Sequence, residues 1–302
     1  MTTLEQMDRY TLRNRYVFQG RLVMKTPLHI GGGRATLSQS NSPVVLTPEG
    51  LPFIPGASFK GALRSTVEKL VPSLSTQLFS CGLIELDREE LDEIEKKLKA
   101  KEQPDKRVCS TQLQRYFANK RRDNPGQRDA IVREELEMLC NTCQLFGSPF
   151  AASHININDL YMPKDEQSDV IERRDGVAID RDSEKAKDRL KYDFEIVPST
   201  TAFQLEITLE NASEEDLQLV CVGLSEFVHG FGGIGGLRSR GLGACKLENL
   251  NVSALELTGI NETQRKERLR NFLLRREFSS TFTDKDEQGL AFLNSQIEKI
   301  FR

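Results

Sequence analysis

The sequence predicts an α+β fold on the split βαβ plan, a ferredoxin-like order of strand, helix, strand, strand, helix, strand. Three observations predict it. A branched and aromatic run over residues 16–24 (YVFQGRLVM) is followed by a helical stripe over 58–70. Phe203, Leu205, Ile207 and Leu209 alternate with Gln204, Glu206, Thr208 and Glu210, and a second helical stripe follows. Each half also carries a glycine run, Gly31 to Gly33 in the first and Gly230 to Gly243 in the second.

The first strand enters three consecutive glycines, where the absence of Cβ permits positive φ and close approach of another backbone. After Ser42-Pro43 a turn-bounded apolar run passes through Pro55-Gly56 into the first helix. Ser58 is placed to cap it. Phe59, Ala62, Leu63, Val67 and Leu70 form its buried stripe, and Pro72 is expected to stop it. Lys60 and Arg64 lie one turn apart on the opposite face, near enough to the glycine loop to suit a polyanion. The plainer reading is a solvated face with Glu68 as salt-bridge partner.

Residues 72–146 read as an insertion, opening on a highly charged helical segment, LDREELDEIEKKLKAKEQPDKR. Cys140 and Cys143 form a C-x-x-C, with Cys81 and Cys109 in the same segment; four such thiolates can close a tetrahedral zinc site and staple an insertion poor in apolar residues. Buried thiols or a redox pair are the alternative, without the βαβ context of a thioredoxin-like motif. Cys221 and Cys245 sit in periodic apolar contexts and read as core.

A bent strand is expected over HININDLY, 154–161. The stretch from about 162 to 198 has balanced charge and little periodicity, the mark of a surface loop. Within it Gly176, Val177, Ala178 and Ile179 form a small apolar tip flanked by Arg173, Arg174 and Arg181. In the second half Ser213 caps the helix, with Leu217, Val220, Cys221, Leu224, Phe227 and Val228 as its stripe. No acid intervenes between Gly230 and Lys246, so Gly235, Gly236, Arg238 and Arg240 make a cationic, side-chain-poor bend suited to phosphate. It is neither a P-loop nor a Rossmann fingerprint, and it also reads as a plain connector. Residues 253–302 form a tail of two charged helices. Phe272, Leu273, Leu290, Phe292, Leu293, Ile297 and Ile300 are free to dock on the domain or on a neighbouring subunit.

Composition narrows the function classes. The chain has 302 residues, 38% of them hydrophobic, and a net charge of −3, so nucleic acid must be met by local patches. No apolar run is long enough to span a membrane and no signal-peptide pattern opens the chain, so no membrane partner and a soluble, cytoplasmic protein are expected.

LHIGGG, NSPVV and LPFIPGASFKGALR, in that order, resemble the opening of the RAMP proteins of CRISPR systems, in particular the backbone subunits of type III effector complexes. The later G-G-x-x-S-R-G-x-G resembles their C-terminal glycine-rich loop. The resemblance implies a ferredoxin-like (RRM-like) core in halves at 1–71 and 147–252, a zinc-stapled insertion at 72–146, a thumb-like hairpin at about 162–198, and the helical tail. It implies guide crRNA, complementary target RNA, other RAMP subunits and the effector's large subunit as partners. Guide contacts are expected at Gly31, Gly32, Gly33 and Arg34, at Ser58, Lys60 and Arg64, and at Gly235, Gly236, Arg238 and Arg240. Arg173, Arg174, Ile179 and Arg181 would serve the thumb, which wedges between nucleotides of the duplex. Asn41 stands where RNA-cleaving members carry Asp. An amide neither holds a metal nor accepts a proton as a carboxylate does, so binding without cleavage at this loop is expected. The alternative is a metal-independent endoribonuclease that processes guide precursors, as other RAMP proteins do, with His29 and His229 as acid and base. A third reading is a zinc-stapled adapter that touches only proteins.

Overall fold

A computed structural model describes residues 11–32, 40–74, 77–100, 102, 108–179, 181, 186–283 and 287–302. The elements in chain order are β1 (Asn14–Met24), α1 (Gly56–Leu74), α2 (Arg88–Lys99), α3 (Gln114–Asp123), α4 (Arg128–Glu137), α5 (Asn141–Phe146), β2 (Ile155–Ile157) and β3 (Glu172–Ile179). There follow β4 (Ala186–Ile196), β5 (Ala202–Glu210), α6 (Glu214–Val228), β6 (Cys245–Glu256), α7 (Glu262–Arg275), β7 (Ser280–Phe282) and α8 (Gln288–Glu298). The result is a mixed α/β fold with antiparallel sheets.

The main sheet runs β2-β5-β1-β6-β7, antiparallel throughout, and β3 and β4 pair separately as a hairpin. β1 lies at the centre, with Phe18 opposite Ile207 on one side and Val252 on the other. Alternation sets the buried face: Phe203, Leu205, Ile207 and Leu209 are buried while Gln204 is exposed. Onto that face pack α1, through Phe59, Leu63 and Val67, and α6, through Leu219, Val220, Leu224 and Phe227. Phe59 and Phe227 meet with ring centroids 5.0 Å apart. The helices approach closely because Gly223 has no side chain; a Cβ there would lie 2.7 Å from Leu63 Cδ1. Each fully buried Phe or Leu contributes about 1.5–3 kcal/mol of transfer free energy.

Both ends of α1 differ from expectation. It begins at Gly56, two residues before Ser58, because Asp159 Oδ1 accepts the Gly56 N–H at 2.7 Å from across the fold. Gly56 is itself required, since a Cβ would sit 2.3 Å from Ile157 O. The helix also runs through Pro72 to Leu74. A proline in the last turn forfeits one hydrogen bond without ending the coil. Ser213 caps α6 as expected, its side chain accepting from Asp216 N in a reciprocal box.

Two small cores lie apart from the main one, one around Leu113, Tyr116, Phe117 and Ile131, the other around the four cysteines with Phe150 and Ala151 packed against it. α2 is the expected charged helix, with a capping box at Asp87 and Glu90 and no buried residue. The tail folds back on its own domain. Phe272 packs with Leu255 and Leu257, Phe292 and Leu293 join the main core, and β7 extends the sheet beside β6. Leu273 stays exposed. Cys221 and Cys245 are buried in the main core. Among the described residues no helix is long and apolar enough to cross a membrane.

Candidate nucleic-acid interface and cysteine centre

The two glycine bends, some two hundred residues apart in sequence, pack backbone against backbone. Gly236 N–H donates to His29 O at 2.9 Å, and Gly243 N–H donates to Pro27 O at 2.9 Å. Gly235 adopts φ +82°, and a Cβ there would lie 2.4 Å from His29 O. The first bend closes locally through Gly32 N–H to Pro43 O and Val45 N–H to Ile30 O, both 2.9 Å. Gly31 faces open space, with nothing within 4 Å of an added Cβ. Gly33 and Arg34 lie outside the described residues.

The base of the β3–β4 hairpin sits against both bends. Glu195 O accepts from His29 Nδ1–H at 2.7 Å, Glu195 Oε2 accepts from Val44 N–H at 3.0 Å, and Glu195 N–H donates to Ser42 O at 3.0 Å. Arg240 Nη1 donates to the Tyr192 hydroxyl at 2.7 Å, and Tyr192 stacks on Phe194, whose ring meets His29 edge-on. Gly176 is mid-strand opposite Tyr192, not at a hairpin tip. A Cβ on it would strike the Tyr192 ring at 2.3 Å, so this glycine seats a cross-strand aromatic. Arg238 and Arg240 are exposed on a turn of 3-10 helix, and Arg174 and Arg181 are exposed on and beyond the hairpin strand. Ile179 pairs with Ala186; its side chain lies outside the described part. The composite surface therefore offers the open Cα of Gly31, exposed arginines and an exposed aromatic ring, the chemistry of phosphate and base contact.

Asn41 meets the same junction. Its Nδ2 donates to Asp193 Oδ1 at 2.6 Å, and its N–H points to Oδ2 at 3.3 Å. Arg173 Nε pairs with Asp193 Oδ2 at 3.0 Å. The Asp193 carboxyl is held below its ordinary value, first by the Ser40 hydroxyl, then by Arg173 and Asn41. Position 41 thus serves as donor to a charged, buried acid. Sequence reading did not single out Tyr192, Asp193 or Glu195. Their signal is the alternation Tyr192, Phe194, Ile196 against Asp193 and Glu195 inside a stretch read as loop.

Ser58, Lys60 and Arg64 share α1, and the charged groups of Lys60 and Arg64 are engaged inside the protein. Ser58 N–H donates to Pro55 O. Lys60 Nζ donates to Ser153 Oγ at 2.8 Å and Ile155 O at 3.3 Å, and burial, then Arg64, lowers its pKa. Arg64 pairs with Glu68 at 2.8 Å, as the plainer reading had it, and also reaches Gly147 O and Cys143 Sγ.

Cys81, Cys109, Cys140 and Cys143 are all buried, with their sulfurs within 4.8 Å of one another. Cys81 and Cys143 are 3.6 Å apart, too far for a disulfide at about 2.05 Å. A tetrahedral ion with sulfur bonds of about 2.3 Å spaces its ligands about 3.8 Å apart, so the set fits. Local structure aims the sulfurs. Cys140 caps α5, and its Sγ accepts from Cys143 N–H, which puts both cysteines of the C-x-x-C on one turn. Cys109 accepts from Thr111 N–H and Cys140 N–H, each at 3.4 Å. Packed so closely the thiols cannot ionise alike. Cys109 is pushed down, first by its hydrogen bond with Cys140, and Cys140 is pushed up, first by the same contact. The four are placed to hold a metal ion.

The histidines are separately engaged. His229 Nδ1–H donates to Ser225 O at 2.8 Å on the C-terminal turn of α6. The histidine oriented by a carboxylate is His154, whose Nδ1 lies 2.7 Å from Asp216 Oδ2 and which sequence reading passed over. It ties the start of β2 to the cap of α6.

Residues 21–246 match the family model of the RAMP superfamily. The chain is also similar to the CRISPR system Cms endoribonuclease Csm3 of Methanocaldococcus jannaschii, 34% identical over 65 residues, which is 21% of this chain and 26% of that protein. The match thus spans about a quarter of that curated relative's length.

Proposed function

Because the chain belongs to the RAMP superfamily, we propose that it is a backbone subunit of a type III CRISPR effector that binds guide crRNA and shapes its duplex with complementary target RNA. The observation that carries this reading is the meeting of the two glycine bends with the hairpin base, through Gly236 to His29 O and Arg240 to Tyr192. The exposed arginines and side-chain-poor backbone there are suited to a ribose-phosphate strand, and Tyr192 to a nucleobase. Gly31, Gly32, Gly235, Gly236, Arg238 and Arg240 are the guide contacts, together with Gly33 and Arg34, which follow Gly32 in sequence. Arg173, Arg174, Ile179 and Arg181 serve the hairpin, which acts as the thumb. Ser58, Lys60 and Arg64 contribute through the wall they hold. Other RAMP subunits and the large subunit of the effector are the protein partners, and the cytoplasm is the site of action.

The domain plan follows the same reading: a ferredoxin-like core from 1–71 and 147–252, the insertion at 72–146, the thumb at about 162–198 and the tail at 253–302. The antiparallel order of β2, β5, β1 and β6 supports it. Zinc is the ion for the four cysteines, on the strength of an all-sulfur, buried set whose sulfurs lie within 4.8 Å of one another. Bound there, it supplies cross-linking, and Cys81, Cys109, Cys140 and Cys143 hold it.

The similar Csm3 protein is named an endoribonuclease, but cleavage at this loop would need a group able to hold a metal or take a proton. Asn41 has neither the charge of a carboxylate to hold a metal nor the basicity to take a proton, and its neighbour Asp193 is engaged by Arg173 and Asn41 itself. The complex assembled on a guide and given matched target is expected to show no cut opposite this subunit when the products are mapped. A cut there that survives Asn41→Ala and vanishes on another single change in this chain overturns the assignment.

A further inference from the structure

Arg64 belongs to the core helix α1, yet its guanidinium faces the inserted cysteines. Nη2 donates to Cys143 Sγ at 3.3 Å, Nη1 donates to Gly147 O at 3.2 Å, and Nε donates to Glu68 Oε1 at 2.8 Å. The side chain is 17% exposed, as is that of Glu68, so the fork is fixed on both edges. Cys143 lies within α5 and Gly147 caps its C-terminal end, the Gly147 N–H closing the last turn on Cys143 O. One side chain therefore holds a candidate ligand sulfur and the carbonyl beyond its turn.

Four thiolates around a divalent cation carry a net charge of about −2, and such charge is costly in a buried setting unless donors disperse it. Backbone N–H groups do this for Cys109 and Cys140. Cys143 receives its donor from a charged side chain, a stronger hydrogen bond than a neutral amide gives. We propose that Arg64 is a positioning residue of the cysteine centre, orienting Cys143 and offsetting the charge of the metal-bound sulfurs so that the site binds a divalent, thiophilic cation more tightly. The arginine one turn beyond the P-G-x-S-x-K segment thereby clamps the insertion to the core. This rests on the reading that the four cysteines hold a metal.

The test uses the full-length chain, stripped of metal, titrated with Co2+ and followed by its sulfur-to-cobalt absorption, with Zn2+ affinity then read by chelator competition. Arg64→Gln, which loses the charge, is expected to weaken Zn2+ about 10- to 100-fold. Arg64→Lys, which keeps charge but not the fork, is expected to fall between the two, at least about threefold weaker than the unaltered chain. A purely packing role would lower the stability of metal-free and metal-bound chains alike and leave the competition unmoved. Arg64→Gln within twofold of the unaltered chain overturns the inference. Should Arg64→Gln fail to fold, an Arg64→Lys chain that binds Zn2+ like the unaltered one overturns it. An unaltered chain that takes up no Co2+ overturns the metal reading itself, and this inference with it.

Discussion

Gly235→Ala is expected to destabilise the protein by about 3 kcal/mol or more and to abolish most of its guide affinity, a larger effect than at the open glycines of the two bends. The reason is double. A side chain at φ +82° carries the strain of the left-handed region, about 1–2 kcal/mol, and here its Cβ would also stand 2.4 Å from the backbone oxygen of His29. Backbone cannot step aside as a side-chain end can. Relief means parting the bends, with loss of the Gly236 to His29 hydrogen bond. Two neighbours dissect the effect. Gly241 has φ +83° but open space around it, so Gly241→Ala isolates the strain alone, about 1–2 kcal/mol. Gly31 has open space and no positive φ, so Gly31→Ala is expected within about 0.5 kcal/mol of neutral. Urea unfolding of the three variants beside the parent gives the order; a Gly235→Ala no worse than Gly241→Ala contradicts the packing of the bends.

The second large effect concerns the insertion. Cys140→Ser removes a sulfur that accepts N–H groups from both Cys81 and Cys143 and caps α5. Structural zinc in small modules contributes about 10–16 kcal/mol of binding free energy, most of which becomes folding free energy of the surrounding segment. Bound zinc is expected to fall from one per chain to none, and limited proteolysis is expected to open the segment between α1 and β2. The sheet should survive, because its core is separate from the cysteine cluster. Cys221→Ser is the contrast. It buries a hydroxyl in the main core and costs about 1–3 kcal/mol, with zinc content unchanged. Zinc that stays at one per chain in Cys140→Ser contradicts the ligand assignment.

Local patterns made much of this fold legible. The alternation of Phe203 to Leu209 states a half-buried strand, the Ser213 and Asp216 pair states a helix start, and C-x-x-C spacing brings Cys140 and Cys143 to one turn. What stayed hidden depends on partners distant in the chain. Lys60 and Arg64 could be given a helix face from spacing, but not the Ser153 hydroxyl or the Cys143 sulfur that face them, some 80 to 90 residues on. The same holds for Asn41 and Asp193, separated by 152 positions. In sequence Pro55-Gly56 is only the lead-in to the first helix; the role of Gly56 is to let α1 start against the Ile157 carbonyl. Gly176, likewise, yields its space to Tyr192. A glycine's sequence signal says that a side chain is missing, and only the tertiary structure says what fills the gap.

Ultraviolet cross-linking of the assembled complex on its guide, with the modified peptides identified by mass spectrometry, tests the shared RNA track most directly. Adducts are expected on peptides of the first bend, of the hairpin base around Tyr192, and of the 231–243 bend, all in one preparation. Adducts confined to the inserted helices or the tail, with these three segments clean, would contradict it.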